Sequence, residues 1–304
     1  MTPDLNDISE QIIRQSTQWI GIPIALVGAV FLSLGAQFQH RGVAKMEAKK
    51  GETLGGLSVA QILALIQRPS WVFGTLMLGL AIVLQLTSLG FAPLIVVQPL
   101  GAIALVITAI LNARVTHTRL NRRTVRAIAL CVGGVALFVT IAALTAIEQT
   151  ITDGHLITIL IVLGVVLVAF ALAFGFFRHR FRAIFYIIGA GVLYGFVATL
   201  AKVVINRVIQ GDFEWLTLTC LAALLLAAGL GAYFVQTAYS SGPPDLVIAG
   251  LTVVDPMVAV GIGIIVLGEA SQAPWWAVPA FIVAGAIAVF GVFDLARHHP
   301  QIKR

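Results

Sequence analysis

Nine apolar runs, each about as long as the ~20 residues of helix that cross a hydrocarbon core, constrain this chain more than any other feature. They extend from Ile20 to Phe38, Trp71 to Gly90, Pro93 to Leu111, Ala127 to Ala146, Leu156 to Phe177, Ala183 to Ile205, Trp215 to Tyr239, Leu246 to Leu267 and Trp275 to Phe293. Only the sixth and the eighth hold a charged residue, Lys202 and Asp255. With 59% hydrophobic and 11% charged residues and a mean hydropathy of +1.00, the chain has too little polar surface to cover itself in water. The runs are continuously apolar and do not alternate over about 10 residues, which excludes a transmembrane β-barrel. The expected fold is all-α and polytopic, with nine transmembrane helices in a lipid bilayer.

The net charge of +6 would suit nucleic acid, but the cations sort by side of the membrane and call for no such partner. The loops after the first, third, fifth and seventh runs, with the C-terminal tail, hold sixteen of the nineteen Lys and Arg residues. The opposite side holds Arg14 and Arg207. The positive-inside bias therefore places the loop 39–70 and the tail 294–304 in the cytoplasm and the tail 1–19 outside, for a multi-pass protein of the inner (plasma) membrane. Asp4, Asp7 and Glu10 precede the first run without a basic n-region, so that run reads as a retained span and not a signal peptide. Residues 57–67 are apolar but too short to span, and are expected at the interface. Cys131 and Cys220 sit inside runs, where packing is their default role.

Two halves of the chain echo one another. The first contains Val83-Leu84-Gln85-Leu86, a hinge at Gly90-Phe91-Ala92 and Val97-Gln98-Pro99; the second contains Phe234-Val235-Gln236-Thr237, a hinge at Gly242-Pro243-Pro244 and Val254-Asp255-Pro256. The offset is 151 at the glutamines and 157 at the prolines. Residues 20–146 thus form a first repeat of four helices, 156–177 a linker helix, and 183–293 a second repeat of four. An odd number of spans precedes the second copy, so the repeats are inverted in the membrane. Secondary transporters commonly bind solute near the midplane between such repeats.

Asp255 is the one carboxylate inside a run, tenth of the 22 residues of the eighth, where an ionised group costs roughly +2.5 kcal/mol or more. Such a group faces a cavity or a partner, and suits a proton carrier or a cationic solute; the alternative is a cap on a helix interrupted at Pro256. Pro99 and Pro256 are the expected helix breaks, freeing the carbonyls of Ile95 and Thr252, so Thr252 joins the candidates. Gln85, Gln98 and Gln236 offer donors and acceptors for a solute, or glue between helices. Lys202, near one end of its run, is expected to snorkel to the interface. Gly191 and Gly195 form a GxxxG that predicts close helix packing. All six histidines lie outside the runs, and no HExxH, CxxC, GxSxG or GxxxxGK[ST] motif occurs. The reading is a non-enzyme without a cofactor.

The stretch Phe91-Ala92-Pro93-Leu94-Ile95-Val96-Val97-Gln98-Pro99-Leu100-Gly101-Ala102 resembles the FAPA-x-LVTPLGA segment of the NIPA-type magnesium transporters. Gln37-Phe38-Gln39-His40-Arg41-Gly42-Val43 is similar to their first-helix exit, and Leu267-Gly268-Glu269 to the LGE of EamA-type members of the wider drug/metabolite transporter superfamily. The resemblance implies a transporter of that superfamily, in its NIPA-like branch. The chain departs from the family pattern at four places: Gln98 stands for Thr, Gln85 for Asn, Asp255 for the Thr before the second proline, and Asn112 for the first-repeat Glu of EamA-type proteins. Substrate is therefore argued from the site.

The leading expectation is a secondary transporter that moves a small polar or cationic solute by alternating access, with its site between the third and eighth spans. Mg²⁺ is the alternative cargo, with Asp255 as its ligand, since Mg²⁺ keeps several waters and needs one or two carboxylates. A membrane scaffold that moves nothing is the competing class. A homodimer is compatible with each.

Overall fold

The computed structural model describes residues 19–39, 41, 67–115, 121–177, 182–241 and 244–297. The tails before Trp19 and beyond Arg297, and all but Gln67 of the segment expected at the interface, lie outside the described residues. Regular structure among the described residues is helical throughout, and nine spans are present among them. They are built as ten helices: α1 (Trp19–Gln39), α2 (Pro69–Phe91), α3 (Leu94–Leu100), α4 (Ala102–Val115), α5 (Arg122–Thr145), α6 (Asp153–Phe177), α7 (Arg182–Gln210), α8 (Trp215–Ser241), α9 (Pro244–Ile265) and α10 (Ala277–Arg297).

Proline punctuates the first half. Pro69 opens α2 at a position where its missing N–H costs nothing. Pro93 forbids helix at the residue before it, so Ala92 is extended (φ −141°, ψ 153°) and α2 ends at Phe91. Pro99 lies inside α3, and two residues later the hydrogen-bond ladder of the third span is interrupted at Gly101, where the backbone stays helical (φ −57°, ψ −31°) and the N–H donates to the Gln98 carbonyl at 3.1 Å. The second expected break does not occur. α9 runs unbroken from Pro244 to Ile265 through Pro256, because one missing hydrogen bond does not end a helix whose neighbours hold it on both sides.

α3 is apolar on nearly every side and lies at the centre, with Leu94, Ile95, Val96 and Val97 wholly buried. α5 and α10 pack backbone to backbone: a Cβ added at Gly134 would run into the backbone nitrogen of Ala288, and one added at Gly291 into that of Cys131. The GxxxG face of α7 lies on α9, with Gly191 against Val254 and Gly195 against Val258 and the Asp255 carbonyl. α6 and α8 are the outermost spans, exposing Val165, Leu172, Leu225 and Leu226 by 63–69%. Leucines this bare are stable when hydrocarbon is the solvent.

Candidate functional site

A cavity of about 780 Å³ lies among α1, α2, α3, α7, α8 and α9, walled mostly by apolar side chains. Gln85, Gln98, Thr252, Asp255 and Pro256 line it, together with Tyr194 and Tyr239. Five of the expected residues thus meet in one space. Asp255 arrives there because Gly191 and Gly195 let α9 lie flat on α7, which also brings Tyr194 within electrostatic reach of the carboxylate. Its Oδ1 is buried without a hydrogen-bond partner among the described residues. A buried carboxylate oxygen in that position calls for a proton, a cation or a donor from a solute. The Thr252 hydroxyl donates to the Ile248 carbonyl at 2.7 Å and keeps its acceptor capacity.

Pro99 and Gln236 stand apart. Pro99 shares a second, small cavity of about 100 Å³ with Thr252 and Pro256, which marks the crossing of α3 and α9. Gln236 is exposed on α8 and lines neither cavity. No group of three or more His, Cys, Asp or Glu side chains gathers among the described residues.

At one end of this cavity the structure holds a cluster that the hydropathy pattern did not announce. The expectation that Lys202 snorkels is corrected: its side chain is 3% exposed. Nζ donates to the Ala92 carbonyl at 2.9 Å and to Glu148 Oε1 at 2.9 Å, and lies 3.6 Å from Glu269 Oε1. An ammonium that finds three oxygens inside the protein has no reason to reach for the interface.

Glu269 itself accepts from the Leu94 N–H at 2.8 Å and the Ile95 N–H at 2.9 Å, one on each carboxylate oxygen. Those amides open α3, whose N-cap position is Pro93 and has no side-chain cap of its own. A carboxylate at a helix N-terminus satisfies orphan donors and meets the positive end of the dipole. Burial pushes the Glu269 carboxyl up from its ordinary range, against the Lys202 ammonium and the two amides, which hold it down.

Two glycines make this reach possible. Gly268 turns in the left-handed region (φ 68°), folding the chain back so that the Glu269 N–H donates to the Gly263 carbonyl at 3.0 Å. At Gly263 a Cβ would stand 2.7 Å from Glu269 Oε2, so only glycine leaves the carboxylate its place. Glu148 and Glu269 were missed because both lie just beyond the ends of apolar runs. The usable signal was Leu267-Gly268-Glu269 itself.

The family model described as Magnesium transporter NIPA matches residues 16–209. Over 279 residues the chain is 26% identical to an uncharacterized protein of Corynebacterium glutamicum, covering 91% of this chain and 95% of that one. It is 25% identical over 136 residues to a probable magnesium transporter of Candida albicans, covering 45% of this chain and 36% of the relative. No solved structure matches.

Proposed function

The chain belongs to the NIPA magnesium transporter family, and from that premise we propose that it is a secondary transporter that carries a small polar or cationic solute by alternating access. The observation that supports this most is the 780 Å³ cavity, with the partnerless Asp255 Oδ1 in its wall, in the middle of a membrane-spanning bundle. In this reading Asp255 receives the cation or the coupling proton, while Gln85, Gln98 and Thr252 supply donors and acceptors. The proposed orientation is N-terminus outside and C-terminus in the cytoplasm, which follows from the side bias of the cations.

The proposed inverted repeat, 20–146 and 183–293 about the linker 156–177, draws support from the α5–α10 contact. An offset of 157 carries Pro99 to Pro256, Cys131 to Ala288 and Gly134 to Gly291. Gly134 faces Ala288 and Gly291 faces Cys131, the reciprocity that a twofold axis demands of a contact lying on it. Exchange of conformation between such halves would move the open side of the cavity.

Magnesium is the second reading, favoured by the family and by the similarity to the probable magnesium transporter of Candida albicans. One carboxylate with carbonyls and retained waters is a workable Mg²⁺ site. The test is Mg²⁺ entry into proteoliposomes that hold a trapped indicator, with internal pH recorded, for wild type and Asp255→Asn. Flux abolished by the substitution assigns Mg²⁺ to this cavity. Wild type that moves no Mg²⁺ removes magnesium, and a protein that moves no solute under any gradient removes the transport reading itself.

A further inference from the structure

The Lys202–Glu148–Glu269 cluster forms a roof over the cavity. Leu89 and Ala201 line the cavity, while Ala92 and Lys202, three residues and one residue further along the same segments, are joined by the 2.9 Å bond from Nζ to the Ala92 carbonyl. Leu89, Ala92, Lys202 and Glu269 are each 2% exposed or less, so the roof is shut.

Its bonds follow a pattern. Lys202 to Ala92, Lys202 to Glu148, and Glu269 to Leu94 and Ile95 each tie the second half of the chain to the first. The same holds for the Ile147 N–H donating to the Glu269 carbonyl at 2.9 Å, and for Gln149 donating to Ser271 at 3.0 Å. The contact between Lys202 and Glu269, at 3.6 Å the longest of the three Lys202 contacts, lies within the second half.

From this division we propose that Lys202 and Glu269 act together as the latch of the outer gate. In the state seen here they clamp the first half's hinge, residues 91–95. To open, the second half releases the hinge carbonyl, the two α3 amides and Glu148. Lys202 and Glu269 then close their 3.6 Å gap and neutralise each other, so neither charge is left alone while water enters. Glu148, with a side chain 12% exposed, meets that water first. The charged groups nearest along α7 are Arg207 and its partners Asp153 and Asp212, which pair among themselves and stay outside the exchange. The proposal rests on the carrier reading and the orientation given above, and both are positioning roles that need no contact with solute.

The test reads the gate directly. Leu89→Cys is placed in a Cys131→Ala, Cys220→Ala background, and its reaction with a membrane-impermeant maleimide is timed from the outside of sealed vesicles. The expected result is labelling at least tenfold faster in Lys202→Met and Glu269→Gln, with Lys202→Arg close to the parent. Ala109→Cys, buried in α4 away from the cavity, should stay unlabelled in every variant; if it too becomes reactive, the substitutions merely loosen the fold and the proposal falls. Unchanged Leu89→Cys labelling in monodisperse protein likewise overturns it. Should Lys202→Met fail to fold, Glu148→Gln, at the rim, must still speed labelling severalfold. Labelling needs no flux, so the two failures are read apart: unchanged labelling refutes the latch, while a protein whose roof responds but which moves no solute refutes the transport reading and with it the roof's role as a carrier's gate.

Discussion

Gly133 and Gly134 are neighbours in α5 that should answer to the same substitution in opposite ways. A Cβ at Gly133 meets nothing within 4 Å, whereas one at Gly134 overlaps the Ala288 nitrogen, stands 2.8 Å from the Ala288 Cα and 3.0 Å from the Ala284 carbonyl oxygen. Ordinary contact begins at 3.4 Å, and the obstacle is backbone, so no rotamer can yield and α5 must part from α10. Overpacking of this kind costs about 1–3 kcal/mol. Alanine in place of glycine also gains about 0.5–1 kcal/mol in a helix, equally at both sites, so the difference between the two variants isolates the contact. Gly134→Ala should therefore unfold with an equilibrium constant about 5- to 150-fold larger than Gly133→Ala, read from denaturation of the purified protein in micelles. Gly291→Ala should match Gly134→Ala, and the double variant should cost less than the sum, because one separation of the helices relieves both clashes. Equal stability of Gly133→Ala and Gly134→Ala would refute the packing, and with it the reciprocal contact that supports the repeat.

Gly195→Val is expected to lift α9 from α7, since a Cβ there already comes within 2.7 Å of Val258 and 3.0 Å of the Asp255 carbonyl; flux should fall at least tenfold, while Gly261→Ala, with open space around it, transports normally. The two buried cations of α7 should differ when removed: Arg207→Met leaves Asp153 and Asp212, 57% and 50% exposed, to water at a cost of under about 1 kcal/mol for the lost pairs. Lys202→Met strands Glu269, whose side chain is 2% exposed, for about 3–5 kcal/mol, so thermal unfolding should rank Lys202→Met well below Arg207→Met, and the reverse order would contradict the assignment.

The spans were legible because hydrocarbon is an undemanding solvent that asks only for length and apolarity, and α6, without a charged residue beyond its first turn, could be nothing else. Asp255, Gln85 and Gln98 were singled out because each polar group in an apolar run needs a reason, and all three line the cavity. Gln236 was read by the same rule and points elsewhere, since α8 is apolar on every side and no periodicity shows which face looks inward. Pro99 and Pro256 were both read as breaks, yet the backbone stays helical through each, with only the ladder interrupted at Gly101 two residues beyond Pro99. Lys202 was misread from its distance to the end of the run. Its direction is set by Glu148 and Glu269, acids that chain separation hides and only the folded bundle brings near.

Glu269 also bears on what the proposed inverted repeat would leave free to differ. The offset of 157 that carries Pro99 to Pro256 and Gly134 to Gly291 carries Asn112 to Glu269. Asn112 is 5% exposed, as a residue in that place should be, but it is neutral. Under the proposed repeat, the carboxylate that clamps the hinge at one end of the bundle therefore has an amide as its counterpart at the other. An amide can satisfy a helix N-terminus but brings no charge to pair with an ammonium, so in the proposed carrier the two closures would be held by different forces. Ionic clamping is directional, and its release must be compensated by a second charge, which the Lys202–Glu269 contact is placed to provide. The neutral closure needs no such partner. Under the proposal, equal architecture with unequal chemistry would let the same exchange of conformations rest preferentially on one side, the side on which the roof over Leu89 is shut.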